Sequence, residues 1–184
     1  MRIITGTAKG KTLKSLNGLD TRPTTDKVKE AMFSAVQFDV EDADVLDLFA
    51  GSGQLGIESL SHGARKVFFN DSSAAAVGII KENLTVVRDF ADKSEVYRLP
   101  YDAFLRMVKT SFDIAFIDPP YSKGIIGKVL PPLTAKMNPG GVIICEHESG
   151  LEFPEKVGDF GIDRSYVYGS VTVTILGHRV RSPD

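Results

Sequence analysis

Cysteine is nearly missing. Cys145 is the only one in 184 residues, which excludes a disulfide framework and any multi-cysteine zinc site. Histidine is scarce too: His62, His147 and His178 lie far apart and show no metal-ligand spacing, so no metal is expected. No apolar run reaches the ~18 residues that would span a bilayer. The opening Met-Arg-Ile-Ile-Thr-Gly-Thr-Ala-Lys-Gly-Lys lacks a long apolar centre and a small-residue cleavage site, so it does not read as a secretory signal. A cytoplasmic protein without membrane attachment is the expectation. What is present suits one soluble domain with room for an appendage: 42% hydrophobic and 25% charged residues, in a chain long enough to bury a core without staples.

The net charge of -2 hides an asymmetry. Residues 1–29 hold seven basic side chains (Arg2, Lys9, Lys11, Lys14, Arg22, Lys27, Lys29) against Asp20 and Asp26, whereas the rest of the chain holds 15 basic and 22 acidic ones. A basic arm on an acidic body suits a polyanion-binding appendage, and a solvated lysine-rich hairpin would look the same.

Residues 2–6 and 11–15 read as two short strands around the turn Ala8-Lys9-Gly10. Val28, Ala31, Met32, Ala35 and Val36 form one apolar helical stripe, with Thr24 or Thr25 as its cap. From residue 44 strands and helices alternate. Strands are expected at 45–49, 66–70, 95–99, 112–117 and 141–146. Helices are expected at 55–62, from Ser72 or Ser73 to about Val87, briefly after Asp102, and at 125–137. Repeated βαβ units predict a parallel sheet covered on both faces, and the continuous apolar strands agree. Residues 163–168 and 171–176 flank Gly169-Ser170 and predict an antiparallel hairpin that closes a mixed sheet. The boundary candidate lies near residues 16–24, which makes 1–23 a basic extension and 24–184 the main domain.

The first strand runs into Asp47-Leu-Phe49-Ala-Gly51-Ser-Gly53-Gln-Leu-Gly56, where open α/β sheets bind ligands. A P-loop would need Lys then Ser or Thr after the last glycine, and Ile57-Glu58 stands there instead. A dinucleotide site needs GxGxxG and an acidic residue about 20 positions on, which Asp71 supplies. A nucleoside-bearing ligand without pyrophosphate is the third reading. Asp47 favours it, because a carboxylate suits an ammonium group and not a pyrophosphate. A plain structural turn is the alternative. Asp71 could fork to two ribose hydroxyls or cap the next helix. Asp102 could accept from an adenine amine or cap its own helix.

Strand four ends in Asp118-Pro119-Pro120-Tyr121. Two prolines fix the backbone and remove two N–H donors. An exocyclic base amine needs two acceptors, and the Asp118 carboxylate and Pro119 carbonyl supply both. Held in this way, the nitrogen is pyramidal and its lone pair is free. Tyr121 offers a face for an unstacked base. A rigid strand terminator with a surface tyrosine is the plain alternative.

These motifs resemble those of amino-methyltransferases of the Rossmann-like class that use S-adenosylmethionine. Further stretches are similar to the RsmD family, which methylates N2 of a guanine in bacterial 16S ribosomal RNA. They are the opening Met-Arg-Ile-Ile-Thr-Gly-x-x-Lys-Gly, Thr-Arg-Pro-Thr-Thr-Asp-Lys-Val-Lys-Glu-Ala-Met-Phe at 21–33, Leu-Gly-Ile-Glu-Ser-Leu-Ser-His-Gly-Ala at 55–64, and Tyr168-Gly169. The resemblance implies a seven-stranded sheet and S-adenosylmethionine as cofactor. It implies that Asp47 and the Gly51–Gly53 loop hold the methionine end, Asp71 the ribose and Asp102 the adenine, with Phe49 also at the cofactor. Asp118, Pro119 and Tyr121 would hold the guanine, with Arg22 and Thr24 bordering the cleft. Lys9, Lys11 and Lys14 are candidates for RNA phosphates. The implied partner is ribosomal RNA, within the small subunit, met by a monomer. Gln54 departs from the family pattern, standing where a small residue is usual, and Ser170 stands where an acidic one is common. Two rivals remain at this point: a nicotinamide-dependent oxidoreductase, which leaves Asp118-Pro-Pro-Tyr121 unexplained, and a non-catalytic RNA-binding assembly factor.

Overall fold

The computed structural model describes residues 1–16, 23–120 and 124–178. Helix α1 spans Pro23–Ser34. Strand β1 (Asp44–Asp47), helix α2 (Gln54–Ser61), β2 (Lys66–Asn70), α3 (Ala74–Val86), a 3-10 turn at Arg88–Lys93, β3 (Ser94–Tyr97), α4 (Tyr101–Met107), β4 (Phe112–Ile117), α5 (Ile125–Thr134) and β5 (Met137–Glu148) follow. The chain closes with β6 (Lys156–Val157), β7 (Phe160–Tyr168) and β8 (Val171–His178). The described strands form one sheet in the order β3-β2-β1-β4-β5-β8-β7-β6. The first five are parallel and the last three antiparallel.

The central strands β1, β2 and β4 are largely apolar because each feeds two cores. Val45, Val67, Phe69, Ile114 and Phe116 meet Val28, Met32, Leu55, Ile57 and Ile80, from α1, α2 and α3. The alternate residues Leu46, Phe68, Ala115, Ile117 and Cys145 meet Phe104, Leu105, Val129 and Leu133, from α4 and α5. Opposite faces of a pleated strand take successive side chains, so only a doubly covered sheet needs both sets apolar.

Four expectations need correction. The sheet has eight strands rather than seven, because the two-residue β6 pairs with β7; a strand that short leaves no periodic signal. Residues 2–6 and 11–15 form no strands. A single antiparallel bridge, Arg2 to Thr12, joins the arms; the Ile3 and Leu13 N–H groups donate across it to the Lys11 and Met1 carbonyls, both at 3.0 Å, and the remaining polar groups turn to α2 and α3 rather than extend the ladder. Helix α1 begins at Pro23, so Thr24 and Thr25 lie in its first turn rather than capping it. Helix α4 is capped by Pro100, and Asp102 is its second residue.

The N-terminal segment is bound to the domain by long-range contacts. Ile3, Ala8 and Leu13 are buried. The N–H groups of Thr7 and Ala8 donate to the carbonyl and Oγ of Ser61, at 2.8 and 2.9 Å. The Ile4 N–H donates to Glu58 Oε1 at 2.7 Å. On α3, Asn83 Oδ1 accepts the Lys14 N–H at 2.7 Å, and its amide donates to the Lys14 and Ser52 carbonyls at 3.0 and 2.9 Å. Every residue of α2 is buried, because the sheet covers one side and this segment the other.

Candidate active site

The carboxyl ends of β1, β2, β4 and β5 lie along one edge of the sheet, where open α/β sheets form their ligand crevice, and Asp47, Asp71 and Asp118 are brought there by the backbone. Asp47 ends β1 and pairs in register with Phe116, two residues before Asp118. Asp118 follows Ile117, which pairs with Cys145, so Glu146 lies alongside it on β5. Glu146 was not singled out from the sequence; an acidic residue ending the apolar run Val142-Ile-Ile-Cys145 was the signal for it.

Between Asp47 and α2 the chain turns through Gly51 (φ +55°) and Gly53 (φ +77°), left-handed conformations that side chains disfavour. The Asp47 Oδ2 atom accepts the Gly56 N–H at 3.0 Å and ties the strand end to the helix start. At Gly56 a Cβ would stand 2.2 Å from the Phe69 ring, so only glycine lets α2 lie this close to the sheet. The glycine N–H groups are held within the protein, Gly53 by the Ala50 carbonyl at 2.7 Å, so the loop is a braced turn that brings backbone close to the strand ends.

Asp71, just past β2, uses both oxygens on backbone N–H groups: Gly51 on Oδ2 at 2.9 Å and Ser73 on Oδ1 at 2.8 Å. Ser73 caps α3. The carboxylate thus fixes the loop from the side, and each oxygen keeps a lone pair for a further donor. Beside it, Asn70 donates to the Leu48 and Leu99 carbonyls at 3.2 and 3.1 Å, while its buried Oδ1 has no hydrogen-bond partner. Asn70 joins the ends of β1 and β3, and a lone amide ending an apolar strand was the sequence signal for it. Phe49 is half-buried against Tyr101, with ring centres 5.8 Å apart. Asp102 is half-exposed and ion-paired to Arg106 at 2.9 Å; that contact holds its carboxyl below the usual range.

Burial governs the central acids. Desolvation raises Asp47 to about 6, against the Gly56 hydrogen bond and the Lys29 charge. It raises Asp118 to about 7, helped by Glu146 and Asp47 and opposed by Lys29. Lys29, half-buried on α1, thus acts on both carboxylates through its charge, and sequence reasoning counted it only within the basic arm. Burial pushes the Cys145 thiol far up, which fits an inert core residue.

Pro119 is buried behind Asp118. Tyr121 and Arg22 lie outside the described residues, and Thr24 is placed only by its backbone, in the first turn of α1. Of the three lysines, Lys14 pairs with Glu82 at 2.6 Å, the Lys11 ammonium donates to the Val86 carbonyl at 3.3 Å, and Lys9 is exposed. Among the described residues no cluster of metal-ligating side chains occurs, and no helix is long and apolar enough to cross a membrane.

A parallel sheet closed by an antiparallel hairpin, with a glycine loop after its first strand and an acid-proline end on its fourth, defines a Rossmann-like methyltransferase fold. The family model described as conserved hypothetical protein 95 matches residues 1–177, and the chain belongs to that family. Its relatives include a Bacillus subtilis protein provisionally named rRNA methyltransferase YlbH, 38% identical over 97% of this chain and 100% of that one. The Escherichia coli protein named ribosomal RNA small subunit methyltransferase D is 30% identical over 93% of this chain and 86% of its own length. A solved Escherichia coli structure, provisionally described as methyltransferase yhhF, superposes with a TM-score of 0.86 at 30% identity and covers 97% of each chain. A Thermus thermophilus 16S rRNA N2 methyltransferase, solved with AdoMet and guanosine, shares the fold at 22% identity and a TM-score of 0.69; the superposition covers 89% of this chain and 45% of that one.

Proposed function

We propose that this protein transfers a methyl group from S-adenosylmethionine to the exocyclic N2 amine of a guanine in 16S ribosomal RNA, acting as a single chain on the small subunit. The observation that carries the reading is the end of β4. There a half-buried carboxylate, Asp118, precedes two prolines within reach of the glycine loop that Asp47 and Asp71 brace.

The loop suits a nucleoside with an amino-acid tail better than a dinucleotide. The buried Asp47 carboxylate would attract an ammonium group and repel a pyrophosphate. Asp71 and the free Asn70 Oδ1 offer acceptors to ribose hydroxyls, Phe49 an apolar wall, and Asp102 an acceptor for adenine if it lets go of Arg106. The sulfonium methyl of the bound cofactor supplies the electrophile.

The chain's own contribution is positional. The Asp118 carboxylate and Pro119 carbonyl accept the two N–H groups of the amine, so its lone pair points along the line of attack. No strong base is needed, because the amine proton becomes acidic once the nitrogen carries the methyl group. Positioning and fixed dipoles then supply most of the acceleration. Tyr121 would stack on the flipped guanine, with Arg22 and Thr24 bordering the cleft. The segment 1–23, with Lys9, Lys11 and Lys14, would meet RNA phosphates, and 24–184 would be the methyltransferase domain.

The test is radiolabelled methyl transfer to small subunits lacking the modification, followed by nuclease digestion to nucleosides. N2-methylguanosine is the expected product, and Asp118→Ala should lower turnover by roughly 10²–10³ with a much smaller change in cofactor affinity. Label on another base overturns the guanine assignment. No label at all overturns the reaction.

A further inference from the structure

We infer that the pocket between α1, α2 and the N-terminal segment is a second nucleotide subsite, which takes an amino-bearing base adjacent to the methylated one. This rests on the reading of RNA as substrate. The pocket has a volume of about 100 Å³, and its lining includes Thr5, Lys29, Phe33, Gln37, Gln54 and Glu58. A dry cavity of roughly 150 Å³ holds one benzene, so this one takes the edge of a base and leaves the rest of the ring at its mouth.

Two acceptors are set for that edge. Gln54 and Glu58 are only 4% and 3% exposed, and the Gln54 Oε1 and Glu58 Oε2 atoms have no hydrogen-bond partner. Glu58 takes the Ile4 N–H on its other oxygen, and the Thr5 backbone and hydroxyl also act on the carboxylate, which fixes it in place. Buried acceptors are normally satisfied, so a pair left open on one pocket is what a ligand with two N–H groups would complete. Both residues line the pocket, and the Gln54 amide presents its oxygen there by turning about its soft terminal torsion. The exocyclic amine of cytosine, adenine or guanine carries two N–H groups. Uracil flanks its one N–H with carbonyls, which would face these oxygens and be repelled. Phe33, held against His62 at 4.8 Å, supplies the apolar wall.

Lys29 connects this pocket to the reaction centre. It lines the pocket, and its charge acts on both Asp47 and Asp118. A cation between two base sites is placed for the phosphate that joins two successive nucleotides.

Fluorescence anisotropy with labelled oligo(rC), oligo(rU) and oligo(rA) hexamers tests the inference on the full chain, with the two pyrimidine probes as the decisive pair. The wild type should hold oligo(rC) and oligo(rA) about three- to tenfold tighter than oligo(rU). Gln54→Ala and the near-isosteric Gln54→Leu should bring that ratio near one while melting at the wild-type temperature. Lys29→Gln should weaken all three probes alike and flatten the log–log salt slope by about 0.7. Equal affinity for oligo(rC) and oligo(rU) in the wild type, or a preference that survives both Gln54 variants, overturns the subsite. Methyl transfer to small subunits is run in parallel. A protein that methylates guanine without base preference loses only the subsite, and one that prefers oligo(rC) yet transfers no methyl loses only the reaction.

Discussion

The two faces of the sheet are covered in different ways. Beneath α4 and α5 the buried helical residues are all apolar: Phe104, Leu105, Ile126, Val129, Leu130 and Leu133. Across the sheet, α2 and α3 bury Gln54, Glu58, Ser59, Ser61 and Asn83 as well. Burying polar groups costs free energy unless they are bonded. Glu58, Ser61 and Asn83 are bonded to the N-terminal segment. One face therefore supplies stability alone, while the other spends buried hydrogen bonds to seat a basic segment beside the crevice.

Equal truncations on the two faces should separate these roles. Leu130→Ala, at a fully buried position on α5, should cost about 2–5 kcal/mol. Its midpoint should fall by roughly 2–4 °C per kcal/mol, with turnover per folded molecule unchanged. Thermal denaturation and active-site-normalised kinetics check both. A large loss of turnover at full folding would show that the apolar face also shapes the site.

Asn83→Ala is the counterpart across the sheet. It removes three hydrogen bonds to the Lys14 and Ser52 backbone, at about 1–3 kcal/mol for the polar groups left buried and unpaired. Trypsin should then cut at Lys9, Lys11 or Lys14 faster than in the wild type, and RNA binding should weaken while cofactor affinity holds. Unchanged cleavage would mean that the apolar anchors Ile3 and Leu13 suffice.

At the crevice the contrast concerns pH. A carboxyl raised from 3.8 to about 7 in the folded state binds more protons folded than unfolded between those values. Stability is thus largest below the unfolded pKa, and it is lost as pH rises through about 7. Asp118→Asn lacks this penalty. Its melting temperature should gain on the wild type from pH 5 to pH 7 and then hold a constant lead. The ionised form is the one that accepts N–H groups, so wild-type kcat/KM should climb over the same range. A melting gap independent of pH would place Asp118 in contact with water.

The alternating core was readable because each element leaves a local signature: apolar runs for β1, β2 and β4, a glycine turn after Asp47, and prolines after Asp118. Asp47, Asp71 and Asp118 were readable as strand ends, whereas Glu146 beside Asp118 was missed. The seating of the N-terminal segment was not, because its partners Glu58, Ser61 and Asn83 lie more than 50 residues away, and no periodicity reports a contact at that range. The role of Lys29 was hidden because Asp47 and Asp118 lie on other elements, beyond the reach of any helical or strand period. Asp102 differs: Arg106 stands four residues on, so a helical ion pair was available from the sequence alone.

The smallest effect is expected at the basic segment itself. Lys14 is tied to Glu82, but the two side chains are 69% and 53% exposed, and exposed pairs hold weakly. The Lys11 contact with Val86 is also at the surface. RNA phosphates can therefore compete for both lysines, and Lys9 is exposed already. Replacing all three with glutamine should weaken RNA binding, leave cofactor binding intact, and flatten the log–log salt slope by roughly 0.7–0.9 for each phosphate that is no longer neutralised. Lys128→Gln, on exposed α5 across the sheet, is the control and should change nothing. A flattening worth a single phosphate would single out Lys9 and leave Lys11 and Lys14 on their protein partners. Wild-type affinity and slope in the triple variant, or an equal weakening in the α5 control, would mean that the segment is seated for packing and that RNA approaches the crevice from elsewhere.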